Sequence, residues 1–158
     1  MISNSSPLIC LAKINHLEIL KKLFQTIIIT EDVKNEVLES EKPGYIEIKK
    51  AIKEGWIKII NPLNNIQFRL DSGENSIINL ANERNDTLII DDNKGIKIAL
   101  TFNLNVLRTT DIIVMALHEE LINKKQAISY IHQIVEQGYY LSSQYYSKIL
   151  QEIENYQN

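Results

Sequence analysis

Asp91 and Asp92 stand side by side directly after the apolar triplet Leu88-Ile89-Ile90, and comparable polar junctions recur along the chain. Glu31, Asp32 and, one helical turn on, Glu36 follow Ile27-Ile28-Ile29-Thr30. Asn4, Ser5 and Ser6 follow Met1-Ile2-Ser3, and Thr109, Thr110 and Asp111 follow Asn105-Val106-Leu107. Glu74 comes just after Asp71-Ser72-Gly73. Carboxylates gathered from such distant positions repel one another at neutral pH unless a divalent cation offsets them, and hard oxygen donors favour Mg2+ or Mn2+. The reaction class that most often uses an all-carboxylate site is metal-assisted phosphodiester hydrolysis, where the ion acidifies water and stabilises charge on the phosphorane.

Most of these residues also have a plainer use. Asp and Ser are favoured N-caps, and Glu in a first turn complements the helix dipole, so Glu31, Asp32, Asp71, Ser72 and Glu74 each fit as helix starts. Asp91-Asp92 fits that reading less well. One of the two can cap a helix, but a second acid at a buried strand tip adds a repulsion that capping does not require.

Lys13, Lys34, Lys94, Lys97 and Arg108 lie near the same junctions and suit phosphate contacts, Lys13 and Lys97 being the candidates retained. A solvated helix face is the plainer reading of each. His16, His118 and His132 lack zinc spacing, and His118-Glu119-Glu120 is not H-E-x-x-H, so they are expected on the surface or in helix packing. No G-x-S-x-G elbow surrounds Ser5 or Ser6, which argues against serine chemistry. Six of the seven tyrosines, Tyr130, Tyr139, Tyr140, Tyr145, Tyr146 and Tyr156, lie in the last quarter. Packing of the last helix accounts for about half of them; for the rest a protein interface ranks above base stacking.

The elements that must position these residues follow from periodicity. Ile27 to Thr30, Ile57 to Ile60 and Leu88 to Ile90 are short β-branched runs that read as buried strands, with Met1 to Ser3 and Asn105 to Leu107 as weaker candidates. Helical spacing covers Leu8 to Phe24, broken near Asn15, then Val33 to Leu38, Ile46 to Ile52, Ser76 to Ala81 and Ile96 to Leu100. Two or three amphipathic helices follow, over about Ile112 to Leu121, Gln126 to Gln137 and Ser142 to Tyr156. Alternating strand and helix predicts an α/β fold with a parallel sheet covered on both faces. In such a sheet the ligand site lies beyond the carboxyl ends of the strands, which is where the acids fall.

The 158 residues, 44% hydrophobic and 23% charged, suit one domain spanning 1–158, with a helical C-terminal part from about 112. A chain of this size buries roughly 70% of its unfolded surface and needs no staples. Its single cysteine, Cys10, and the absence of a basic leader or an apolar span predict a cytoplasmic protein with no membrane segment. The net charge of −3 excludes a broadly cationic nucleic-acid binder, though not an enzyme acting on nucleic acid.

Several stretches also share their order with a known family. Ser3-Asn4-Ser5-Ser6-Pro7-Leu8-Ile9 and Leu11-Ala12-Lys13-Ile14 open the chain. Glu36 within Val33-Lys34-Asn35-Glu36-Val37, Pro43-Gly44, Gly55-Trp56-Ile57 and Leu70-Asp71-Ser72-Gly73-Glu74 with Ala81 follow. Leu88-Ile89-Ile90-Asp91-Asp92 with Gly95 and Ala99, then Gly138-Tyr139-Tyr140-Leu141-Ser142, complete the series. Over nearly the whole chain this resembles PIN-domain proteins, specifically a PIN-like subgroup related to VapC-type toxins. The resemblance implies a three-layer α/β/α fold and a Mg2+- or Mn2+-dependent endoribonuclease acting on single-stranded or structured RNA. It further implies a toxin paired with a small antitoxin protein, and a homodimer.

Position by position, the family's acidic residues fall on Asn4, Glu36, Glu74 and Asp92, with Asp91 beside the last; these are the implied catalytic and metal-binding residues. Ser5 or Ser6 matches the small hydroxyl residue after the first acid, and Asp111 is a candidate accessory group. Asn4 departs from the pattern, because an amide oxygen coordinates a cation without adding charge. That departure implies either a weaker metal site or a PIN-like module that binds RNA or a partner without cutting.

Overall fold

A computed structural model describes residues 1–39 and 43–156. The expected domain span of 1–158 includes residues 40–42 and 157–158, which lie outside the described residues.

Five short parallel strands form one sheet in the order β3-β2-β1-β4-β5. They are β1 (Ile2–Ser3), β2 (Ile27–Ile29), β3 (Ile57–Ile59), β4 (Leu88–Ile89) and β5 (Val106–Leu107). Ile2 pairs with Ile28 on one side and with Leu88 on the other, while Ile27 to Ile29 pair with Ile57 to Ile59. The central strands are apolar at nearly every position because both of their faces are covered; Ile2, Ile27, Ile29, Leu88 and Ile89 are fully buried. Burying each such side chain contributes about 1.5–3 kcal/mol.

The helices are α1 (Ser5–Lys13), α2 (Glu18–Phe24), α3 (Glu31–Val37), α4 (Tyr45–Lys53), α5 (Ser72–Arg84), α6 (Asn93–Thr101), α7 (Thr109–His118), α8 (Lys124–Glu136) and α9 (Ser143–Asn155). Right-handed crossovers place α1, α2 and α4 on one face and α5 and α6 on the other, giving three α/β/α layers. α7 packs on α1 and α2 and so joins the first layer, while α8 packs on α7 and α1, and α9 on α8 and α7. The C-terminal helices thus extend one layer, and one contiguous apolar core runs through all of it.

The break expected near Asn15 is present and has a defined geometry. Asn15 is left-handed (φ 59°), its N–H donates to the Ala12 carbonyl at 2.9 Å, and the His16 N–H reaches the Leu11 carbonyl at 2.9 Å. This pair of bonds ends α1 in a Schellman turn. Several helices start earlier than their apolar periodicity indicates, α1, α5 and α7 among them. Pro7 falls in the first turn of α1, where its missing N–H costs nothing. Asp71 Oδ1 accepts the Glu74 N–H at 2.7 Å and starts α5, and Asp111 Oδ2 accepts the Arg108 N–H at 2.7 Å at the start of α7. Among the described residues no helix is long and apolar enough to cross a membrane.

Candidate functional site

The chain leaves β1 toward β2 but leaves β4 toward β5, so connections diverge between the two adjacent strands. A crevice opens at the carboxyl ends of strands wherever a parallel sheet reverses in this way. A cleft of about 500 Å³ lies there, with Glu74, Asp91 and Asp92 facing Ser6, Cys10 and Lys13 of α1. Arg108, Asn93 and the segment Gln137 to Tyr140 complete its wall.

Asn4 follows β1 and is 4% exposed. Its N–H donates to the Ile89 carbonyl at 2.9 Å, which ties the β1 exit to β4. Its side-chain Oδ1 is buried without a hydrogen-bond partner. An unpaired buried acceptor costs about 1–3 kcal/mol, so this oxygen is a ready ligand for a cation or a donor.

Asp92 caps α6 with a single oxygen, Oδ1, which takes the Lys94 and Gly95 N–H groups at 2.8 and 2.7 Å. Glu74 stands in the first turn of α5, and its pKa is pushed up from 4.5 to about 7, first by burial and then by the charges of Asp71, Asp92 and Glu36. Glu36 reaches this group from α3. A Cβ built on Gly73 would lie 3.2 Å from Glu36 Oε2 and 3.5 Å from Asp71 Oδ1, so the missing side chain lets two carboxylates close on the helix start.

Asp91 is engaged differently. Its Oδ1 accepts the Thr109 N–H at 2.9 Å and the Tyr139 hydroxyl at 2.5 Å, and its Oδ2 accepts the Thr109 hydroxyl at 2.7 Å. The Arg108 guanidinium bonds the Asp91 carbonyl at 3.1 Å and Asn93 Oδ1 at 2.7 Å. Burial, reinforced by the Asp91 charge, pushes the Tyr139 hydroxyl far above its ordinary pKa and the Cys10 thiol up to about 12.

The other sequence candidates separate clearly. Ser6 is exposed in the cleft, whereas Ser5 is buried. Lys13 lines the cleft and its Nζ donates to the Gln137 carbonyl at 3.3 Å. Lys97 is exposed on α6 and is not among the residues lining the cleft. Lys94 reaches the Arg69 carbonyl, and Lys34 pairs with Glu31 at 2.7 Å. Asp111 serves the α7 start instead of facing the cleft. Each histidine meets a tyrosine ring: His16 meets Tyr130 at 3.8 Å, His118 meets Tyr156 at 4.9 Å and His132 meets Tyr146 at 6.0 Å between centroids. Helix packing therefore explains all three.

Sequence reasoning singled out Tyr139 and Tyr140 but did not place the Gln137 to Tyr140 segment on the wall of the cleft. The one local signal was Gly138 after an amphipathic run, the mark of a helix end.

Among the described residues no three His, Cys, Asp or Glu side chains are close enough to hold a metal ion. The donor chemistry nonetheless fits a hard divalent cation. Glu36, Glu74 and Asp92 supply carboxylate oxygens, the charges of Glu36 and Asp92 adding to the burial that raises the Glu74 pKa, while Asn4 Oδ1 is unpaired and Gly73 leaves room beside Glu36.

The PIN domain family model DUF3368 matches residues 1–155. Among solved structures, a PilT N-terminus domain protein from the hyperthermophilic archaeon Sulfolobus solfataricus is 20% identical, covering 74% of this chain and 94% of its own, with a TM-score of 0.45. No curated protein matches the sequence. With the family model spanning nearly its full length, this chain belongs to the PIN domain family.

Proposed function

We propose that this protein is a Mg2+- or Mn2+-dependent endoribonuclease that hydrolyses single-stranded RNA, acting as the toxin of a toxin–antitoxin pair. PIN domains are in general nucleases, which supports the coarse activity. The observation that carries the reading is geometric: Glu74, Asp91 and Asp92 line one cleft at the sheet's switch point, where burial, and then the charges of Asp71, Asp92 and Glu36, raise the Glu74 pKa.

Glu36, Glu74 and Asp92 would hold the cation, with Asn4 Oδ1 as a neutral fourth donor. A bound divalent cation supplies charge neutralisation and the acidity that activates water against a phosphodiester. Asp91, with both oxygens already taking hydrogen bonds, holds the walls of the cleft in register and so positions its neighbours. Lys13 lies on the opposite wall and suits a substrate phosphate, which fixes position without reading sequence.

Asn4 also favours a second reading, a PIN module that binds RNA or a protein partner without cutting, since the pattern it resembles has an acid there. Cleavage of a mixed single-stranded RNA pool in Mg2+ or Mn2+ separates the two. Wild type should cut, and Asp92→Asn, which preserves an N-cap of equal quality, should lose about 100-fold or more in rate, in line with the value of cation-borne charge stabilisation. If neither protein cuts and both bind RNA equally well, the nuclease reading fails.

A further inference from the structure

The ring of Tyr140 is 86% exposed at the rim of the cleft, while the other tyrosines of the C-terminal half are engaged. Tyr130, Tyr146 and Tyr156 meet histidine rings, Tyr139 bonds Asp91, and Tyr145 meets Thr110 at 3.3 Å and lies beneath the Arg108 guanidinium. An aromatic ring this open at the rim of a cleft presents its faces to any planar group that enters there.

Its support is fixed. Gly138 is left-handed (φ 94°), its N–H meets the Val135 carbonyl at 3.0 Å, and the Tyr139 N–H meets the Ile134 carbonyl at 2.9 Å. That pair of bonds is a Schellman turn closing α8. On the cleft side, the Tyr139 hydroxyl is held by Asp91 and the Gln137 carbonyl by Lys13. A ring mounted on a pinned turn loses little freedom when something stacks on it. The same cleft is lined by Lys13 and Arg108, whose bonds within the protein go to carbonyl and amide oxygens, so that among the described residues neither positive charge is paired with a carboxylate and both attract an anionic backbone. A flexible polyanion carrying exposed planar groups matches both features, and that is single-stranded nucleic acid; paired bases are already stacked and unavailable.

We propose that Tyr140 is a stacking platform for an unpaired nucleobase next to the phosphodiester held in the cleft, so that the substrate must be single-stranded at that point. This rests on the ribonuclease reading for the identity of the ligand.

The test is binding of a short single-stranded RNA, followed by fluorescence anisotropy in Ca2+, with the RNA checked to be intact, alongside cleavage assays in Mn2+. Tyr140→Ala should weaken Kd roughly tenfold, about 1.4 kcal/mol, within the usual worth of one base–aromatic stack. Tyr140→Trp should keep the affinity and Tyr140→Leu should not. An RNA with one abasic nucleotide at the stacked position should bind wild type roughly tenfold more weakly, yet bind Tyr140→Ala no more weakly than intact RNA does, the signature of coupled sites. Unchanged affinity of Tyr140→Ala overturns the proposal and leaves the ring to a protein partner. Equal affinity of wild type for duplex, fully additive penalties, or no wild-type binding to single strands overturn it as well. Cleavage without the coupling sinks stacking alone, whereas coupling without cleavage sinks the nuclease reading alone.

Discussion

The Tyr139 hydroxyl lies 2.5 Å from Asp91 Oδ1, joining the α8–α9 connection to the end of β4. Because the same carboxylate also takes two bonds from Thr109, Asp91 clamps three chain segments at once. Tyr139→Phe removes one charge-assisted bond and should cost about 1.5–3 kcal/mol in urea denaturation. Asp91→Ala strands Thr109 and Tyr139 together and should cost more. Equal stability of Asp91→Ala and wild type would show that the clamp holds nothing.

Glu74 gives the metal-free protein a pH dependence of definite sign. Between 4.5 and about 7 the folded state keeps a proton that the unfolded chain has released, so this group's contribution to stability falls as pH rises through that window. With EDTA present, Glu74→Gln should therefore gain on wild type from pH 4 to pH 8 in thermal melts. A difference between the two proteins that stays constant over this range contradicts the shifted carboxyl.

Asn4→Asp places a charge where the side chain is 4% exposed. Without cation the variant should melt below wild type, since an uncompensated buried charge is costly. Added Mn2+ should raise its melting temperature more than that of wild type, because the added charge tightens cation binding and ligation stabilises the folded state. Identical Mn2+ affinity of the two proteins by calorimetry would remove position 4 from the ligand set.

Gly44 precedes α4 with φ 86°, and a Cβ there would lie 2.5 Å from the Ala12 Cβ. Gly44→Ala should lose about 2–4 kcal/mol, combining a left-handed penalty with overpacking against α1. Adding Ala12→Gly should recover the overpacking part and leave the backbone part. No recovery in the double variant would mean that the two helices do not approach as described.

Cys10 should resist alkylation. Its thiol is buried and raised to about 12, so iodoacetamide at pH 8 should label the native protein far more slowly than the urea-unfolded chain. Equal rates would place the thiol in water.

The strands were legible because a parallel sheet buries both faces, which leaves β2 and β4 as unbroken Ile and Leu runs. The helix starts were less so: Ser5, Ser72 and Thr109 open their helices with polar residues that show no apolar period, and at α5 and α7 that polar turn carries a capping bond. Acids at strand exits pointed to one end of the sheet, but the strand order decides which exits meet, and no local pattern encodes it. Asp111 after β5 and Asp92 after β4 look equivalent in sequence, yet only Asp92 lines the cleft. The Tyr139 bond to Asp91 spans 48 positions, beyond any periodicity.

The pairing of Ile2 and Ser3 with Leu88 and Ile89 also governs when the site comes into being during folding. Closing a loop that long is entropically costly and slow compared with forming the helices it encloses. Asn4 and Asp92 sit just past the two strands being joined, so the cleft has no precursor in either half of the chain. A molecule in which this pairing has not formed would lack the assembled site, however complete its helices.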